Sequence, residues 1–224
     1  MPRIPKIEIF VRCLEFGKAF WSKGNDVALG IKTMPHSFRV TKLAVENLHE
    51  LNDRSVTSNN GDSSGYESPD YANLRKIISF LNPQPHDIVF DLGSGMGRVL
   101  CMFARRKVKR CVGIELFPTL CEVAEANAKK LKGRKSPIEI RQGDVAQADF
   151  TEGTIFFLFN PFGADTLRCV LERVNNSRQQ SPREITFVYY KDLHADVFES
   201  FSSLEKYHEM KTFSGINVSF WRSV

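Results

Sequence analysis

From residue 87 onward the chain alternates short apolar runs with longer segments whose apolar positions recur at helical spacing. The runs dense in Val, Ile, Phe and Tyr predict strands at Ile88–Leu92, Cys111–Glu115, Ile138–Arg141, Thr154–Phe159 and Ile185–Tyr190. Between and after them, periodicity predicts helices at Arg98–Lys107, Pro118–Leu131, Asp165–Val174 and Leu193–Phe201. Two further strands, about Tyr207–Phe213 and Asn217–Trp221, flank Ser214-Gly215. Such alternation predicts an α/β fold: a mostly parallel sheet with right-handed crossovers, helices on both faces and an antiparallel hairpin at the C-terminal end. A helix is also expected over Ser68–Leu81. Ser68 or Asp70 can cap it, Leu74, Ile77, Ile78 and Leu81 form its apolar stripe, and Asn82-Pro83 stops it.

Ahead of this series the pattern is looser. Ile7 to Phe20 and Val40 to Leu51 are consistent with one or two helices, and Asn52 to Ser64 is a polar stretch that reads as a linker. The chain therefore divides into an N-terminal helical segment with its linker, 1–65, and an α/β domain, 66–224.

The turn after the first strand carries the strongest chemical signal. Asp91-Leu92-Gly93-Ser94-Gly95-Met96-Gly97 places glycine at every second position between a strand and a helix. Glycine allows positive φ and lets a ligand approach the backbone, while the helix N-terminus beyond offers N–H groups to an anion. Asp91 suits an ammonium group. Glu115 closes the second strand, where a carboxylate can accept both hydroxyls of a ribose. Asp144 closes the third, placed for an adenine amino group with Val145 against the ring. Acids at successive strand tips thus match the parts of one ligand, an amino acid joined to a nucleoside.

Over residues 66–222 the chain resembles the class I S-adenosylmethionine (SAM)-dependent methyltransferases, which implies their seven-stranded Rossmann-like sheet, SAM as cofactor and S-adenosylhomocysteine (SAH) as product. On that resemblance Asp91, Gly93, Ser94, Gly95 and Gly97 hold the methionine end, Glu115 and Leu116 the ribose side, and Asp144 and Val145 the base. Ser64-Gly65-Tyr66-Glu67-Ser68-Pro69-Asp70-Tyr71 followed by the DLGSGMG loop is similar to the histone-lysine methyltransferases of the disruptor-of-telomeric-silencing type, which lack a SET domain. That resemblance implies that Tyr66, and Tyr71 with it, lid the cofactor.

The fourth strand runs into Asn160-Pro161-Phe162, and ligands of open α/β sheets lie beyond the carboxyl ends of the strands. The run resembles the Asn-Pro-Pro-aromatic motif of amino-methyltransferases, with one proline fewer. The resemblance gives Asn160 and the Pro161 carbonyl the target amine, gives Phe162 a stacking role, and sets Asn160 at the border of cofactor and acceptor. Tyr189-Tyr190-Lys191-Asp192 lies at the fifth strand tip and can line the same pocket; His194 follows it. Direct in-line transfer to a nitrogen of a protein, nucleic acid or small molecule is expected, with residues 1–65 as a cap near the acceptor mouth. A SAM-fold protein that binds without catalysis and a nicotinamide-dependent oxidoreductase are the alternatives; glycines spaced GxGxG, not GxGxxG, count against the latter.

Charge and cysteines refine this picture only slightly. Ten of the 31 basic residues fall in Arg105–Arg110 and Lys129–Lys135, runs without an acid; outside them acids outnumber bases 26 to 21, under a net charge of +5. Both runs follow helices, so most of these cations are expected to serve helix C-termini at the base of the sheet, and the net charge does not argue for a nucleic-acid substrate. Cys13, Cys101, Cys111, Cys121 and Cys169 form no CxxC pair, which points to reduced thiols, no metal site and a cytoplasmic protein. No apolar run approaches the ~18–20 residues that cross a bilayer.

Overall fold

The computed structural model describes residues 23–33 and 67–224. The expected helices over Ile7–Phe20 and Val40–Leu51, the linker, Cys13 and Tyr66 lie outside the described residues, as does the boundary at 65/66.

The strands are β1 (Ile88–Leu92), β2 (Arg110–Glu115), β3 (Ile138–Gln142), β4 (Ile155–Phe159), β5 (Thr186–Tyr190), β6 (Leu204–Lys211) and β7 (Asn217–Ser223). They form one sheet in the order β3-β2-β1-β4-β5-β7-β6. The first five are parallel, whereas β7 runs antiparallel to both β5 and β6. This is the seven-stranded Rossmann-like methyltransferase sheet with its terminal hairpin. Strand order reverses between β1 and β4, and a crevice opens at such a switch point beyond the strand ends.

Among the described residues six α-helical segments surround it: α1 (23–29), α2 (Tyr71–Leu81), α3 (Arg98–Phe103), α4 (Pro118–Lys130), α5 (Ala164–Gln180) and α6 (Ala195–Glu199). The two-residue period of the strands sorts the core. Val89, Phe157, Val188 and Tyr190 face a cluster completed by α1, α2 and α3; Phe90, Phe156, Phe187 and Tyr189 face one completed by α5 and α6. Both faces are buried, so the inner strands read as unbroken apolar runs rather than alternating ones. Phenylalanine supplies much of the second cluster's volume, with Phe90, Phe156, Phe187, Phe198 and Trp221 in successive ring contact at 5.1–5.4 Å.

Local capping explains where elements begin and end. Asp70 caps α2, accepting a 2.8 Å bond from the Asn73 N–H, and Asn82 closes it at φ 45° just before Pro83. α3 stops at Phe103 rather than at Lys107. The Ala104 carbonyl accepts N–H bonds from Lys135 and Ser136, and the Ser136 hydroxyl donates to the Arg106 carbonyl while accepting the Val108 N–H. The two Ser136 hydroxyl bonds alone span 28 and 30 residues, beyond the reach of local periodicity. α5 continues six residues past the expected Val174 because Arg183 secures its end, donating to the carbonyls of Ser177, Ser181, Phe150 and Gly153.

Segment 23–33 docks against the α2/α3 side of the sheet. The Asp26 carboxylate accepts bonds from the Thr33 N–H (2.6 Å), the Thr33 hydroxyl (2.8 Å) and the Tyr71 hydroxyl, all buried. The Arg98 guanidinium joins them, donating to Thr33 Oγ1 at 2.7 Å and to the Pro69 carbonyl at 3.0 Å, with its carbon 4.6 Å from the Tyr71 ring centre. Tyr71 is therefore a core residue and not a lid; its ring and hydroxyl are both committed. Among the described residues no helix is long and apolar enough to cross a membrane.

Candidate active site

The glycine turn sits at the switch point. Gly93 and Ser94 donate backbone bonds to the Ile114 carbonyl (2.9 and 3.0 Å), and Gly97 donates to the Ser94 carbonyl, so the turn wraps the tip of β2. Gly93, Gly95 and Gly97 all have positive φ, at 76°, 52° and 79°. The tightest requirement is at Gly93, where a Cβ would stand 2.5 Å from the Pro161 Cβ. The turns after β1 and β4 thus touch, and only glycine permits it. On the other side a Cβ at Gly113 would stand 2.6 Å from Ser94 Oγ, so the middle of β2 must also be bare.

Two carboxyls converge beneath the turn. Glu115 accepts the Gly95 N–H at 2.7 Å on Oε2 and the Phe117 N–H at 3.0 Å on Oε1. Asp91 is buried and its Oδ2 has no hydrogen-bond partner among the described residues; the same holds for Ser94 Oγ. Burial pushes the Asp91 carboxyl well above the usual range, and the nearby Glu115 charge pushes it further. Burial also raises Glu115, against the opposing N–H bonds of Phe117, Gly95 and Leu116. An unpartnered buried carboxylate oxygen costs free energy unless a donor arrives from outside. A cationic donor fits best, since it would offset both the desolvation and the repulsion. Each Glu115 oxygen keeps a second lone pair for a hydroxyl. The socket's chemistry therefore fits the ammonium and ribose hydroxyls of SAM.

The remaining assigned positions are spread around it. Asp144 caps a short 3-10 turn, Val145–Gln147, accepting from the Ala146 N–H at 2.8 Å; Val145 and Leu116 are half-buried nearby in sequence to the β3 and β2 tips. Asn160 takes a left-handed conformation, φ 40°, and its Oδ1 accepts the Tyr189 hydroxyl at 3.0 Å. That hydroxyl in turn accepts the His194 backbone N–H at 3.3 Å. Burial pushes Tyr189 up to about 12, so it stays a donor at neutral pH. Phe162 is buried in the α5/α6 cluster with Leu167 and Phe198. Its ring packs into the core, where the aromatic arrives one position earlier than in the motif because one proline is missing. Tyr190 points the other way, into the α2 cluster, where Asn73 Nδ2 reaches its hydroxyl at 3.3 Å.

Sequence reading missed the supports of the turn. Asn127 of α4 donates to the Met96 carbonyl inside the turn and to the Lys32 carbonyl, and accepts the Lys32 N–H, binding segment 23–33 to the glycine loop. The available signal was a buried-stripe polar residue: Asn127 shares its face with Cys121, Ala124 and Ala128. Arg98, directly after Gly97, plays the corresponding role from α3.

With the geometry in hand, known proteins place the chain. Residues 43–155, just over half of it, match the profile of the family described as Histone methylation protein DOT1. The chain belongs to that family. It is 28% identical over 233 aligned residues to the H3 lysine-79-specific histone-lysine N-methyltransferase of Caenorhabditis elegans, covering 90% of this chain and 23% of that protein. A protein-lysine N-methyltransferase of Saccharolobus islandicus is 33% identical over 89 residues, 38% of this chain and 53% of the relative. The chain thus spans 23% and 53% of the length of these two curated relatives. Among solved structures, the RNA methyltransferase of Salinibacter ruber in complex with SAH superposes with a TM-score of 0.56 at 23% identity, over 70% of this chain and 94% of that one. That likeness shows the DOT1-family chain to have the class I SAM-dependent methyltransferase fold.

Proposed function

We propose that this DOT1-family chain is a SAM-dependent methyltransferase whose acceptor is a protein lysine amine. The observation that carries the cofactor is the buried, unpartnered Asp91 oxygen beside Glu115 under a glycine turn. Two relatives named as lysine N-methyltransferases support the acceptor.

When bound, the sulfonium supplies an activated methyl, so the protein's task is to hold a neutral amine in line with it and exclude water. Asp91 holds the ammonium, Glu115 the ribose hydroxyls, and Asp144 with Val145 the base. Asn160 Oδ1 accepts the Tyr189 hydroxyl at the tip of the fourth strand, and an amide oxygen held there would orient the nitrogen of the acceptor amine. The Pro161 carbonyl offers a second acceptor. Tyr189, fixed as a donor, sets the Asn160 amide.

Asn160→Ala is expected to leave SAH affinity within about twofold and to lower kcat by roughly 10- to 100-fold, the effect of one misplaced orienting group; unchanged kcat would remove Asn160 from the acceptor site. Ligand binding should also be pH-linked. Both buried carboxyls ionise at higher pH in the folded chain than in the unfolded one, so the ligand-free protein loses stability as pH rises from the ordinary carboxylate range through the raised values. An ammonium against Asp91 favours the ionised form, so SAH affinity should rise with pH over that window and binding should release protons. Calorimetry in two buffers of different ionisation enthalpy reads this directly, and no proton release would contradict the ammonium contact.

The acceptor is tested by incubating the chain with methyl-labelled SAM and fractionated cell extract. Label recovered in protein as methyl-lysine is expected. Label confined to nucleic acid would overturn the lysine assignment while leaving the cofactor site intact.

A further inference from the structure

One side chain of α4 holds the glycine turn from outside. Asn127 is 3% exposed and commits its whole amide to backbone groups. Nδ2 donates to the Met96 carbonyl and to the Lys32 carbonyl, both at 2.9 Å, and Oδ1 accepts the Lys32 N–H at 2.7 Å. The two bonds to Lys32 repeat one rung of a strand ladder, and the third reaches the crest of the turn. Only a side-chain amide offers two donors and an acceptor together.

The crest is where a restraint is needed. Met96 lies between Gly95 and Gly97, both at positive φ, and glycine leaves the backbone on either side of it free to adopt other conformations. Gly95 donates its N–H to Glu115, and Met96 gives its carbonyl to Asn127. The crest is thereby pinned between the carboxylate assigned to the ribose and helix α4. Ala124, on the same helix face, packs against the turn as well: a Cβ at Gly97 would lie 3.3 Å from the Ala124 Cβ.

Segment 23–33 holds Asn127 from the other side. It grips both helices that leave the socket. The Lys32 backbone binds α4 through Asn127, the Leu29 carbonyl accepts the Lys132 N–H just beyond α4 at 2.9 Å, and Thr33 Oγ1 accepts from Arg98 of α3. Leu29 and Ile31 are buried in the core beside these bonds. Undocking the segment would strip Asn127 of the two Lys32 bonds and release its amide to turn away from Met96.

We propose that Asn127 is a positioning residue for SAM and that, through it, docking of segment 23–33 and cofactor binding are coupled. The inference rests on the reading of the glycine turn as the cofactor cradle. Such coupling is reciprocal: the factor by which the docked segment raises ligand affinity is the factor by which bound ligand favours docking.

The test combines titration calorimetry with SAH and amide hydrogen exchange, both on the full chain. In the parent, saturating SAH should slow exchange of the amides of residues 31–33 at least about fivefold. Asn127→Leu keeps the branched shape and removes the amide; it should weaken SAH binding by about 5- to 150-fold and abolish that slowing. A merely structural Asn127 would lower the Tm while leaving the affinity of the folded variant and the SAH-induced slowing unchanged. If Asn127→Leu does not fold, Ile31→Ala loosens the segment from the core without touching the turn, and SAH affinity should again fall. SAH bound equally by the parent and the folded variants, or exchange at residues 31–33 indifferent to SAH in the parent, would overturn the coupling and leave the cofactor site standing. Absence of SAH binding by the parent would remove both readings.

Discussion

Asp91→Asn is expected to weaken SAH binding by roughly 30- to 150-fold, about 2–3 kcal/mol for a lost charge-assisted contact in a dry site, while raising the Tm of the ligand-free protein. The two effects have one cause. Asp91 is buried, desolvated and close to Glu115, with Oδ2 unpartnered, so the unliganded fold bears an unfavourable charge. Asparagine keeps the shape and removes that charge, which relieves the fold and deprives the ammonium of its counter-ion. A merely structural Asp91 would give the opposite pattern, a lower Tm with binding reduced only in proportion to unfolding. Titration calorimetry and a melting curve on the same two proteins decide between them.

Arg98→Ala should cost about 3 kcal/mol of stability, at the lower end of what breaking a buried ion pair removes. For a domain of this size that is a fall of about 6–12 °C in Tm. The guanidinium is 3% exposed, lies 3.9 Å from Asp26, bonds Thr33 and Pro69 and stacks over Tyr71. Removing it takes a cation from beside the buried Asp26 carboxylate and detaches segment 23–33 from α3. Arg98→Lys restores the charge but not the fork or the stacked plane, so it should recover less than half of the loss. Because Arg98 begins the helix that follows the glycine turn, SAH affinity should fall with stability in Arg98→Ala. Unchanged Tm would mean that the network contributes nothing to the fold.

How much of this was legible beforehand depended on the range of the determining contacts. Strands β1, β2, β4 and β5 appear within one residue of their expected bounds because each is a short apolar run whose period is set locally. The glycine turn was readable for the same reason: its φ values are a property of three residues between a strand and a helix. The hairpin was found, but β6 begins at Leu204 instead of Tyr207, since Glu205 and Lys206 put two polar residues in succession and a register shift between Lys206 and His208 interrupts the strand's period. Helix ends went astray where a distant group captured a carbonyl, as Ser136 and Lys135 do at α3 and Arg183 does at α5. Tyr71 and Phe162 show the limit of motif reading. Both sit beside motif residues, yet the pleat and helix face turn them inward, Tyr71 to Asp26 and Phe162 to Leu167. In the Asp26–Thr33–Tyr71–Arg98 network the Arg98–Thr33 bond alone joins residues 65 positions apart, which no local pattern could announce.

The decisive measurement is a crystal structure of the full chain grown with SAH. The account predicts the ligand's ammonium within hydrogen-bond distance of Asp91 Oδ2, its ribose hydroxyls on Glu115, and its sulfur directed at Asn160. Electron density for the ligand away from the glycine turn, or Asp91 and Glu115 still without contact to it, would contradict the account.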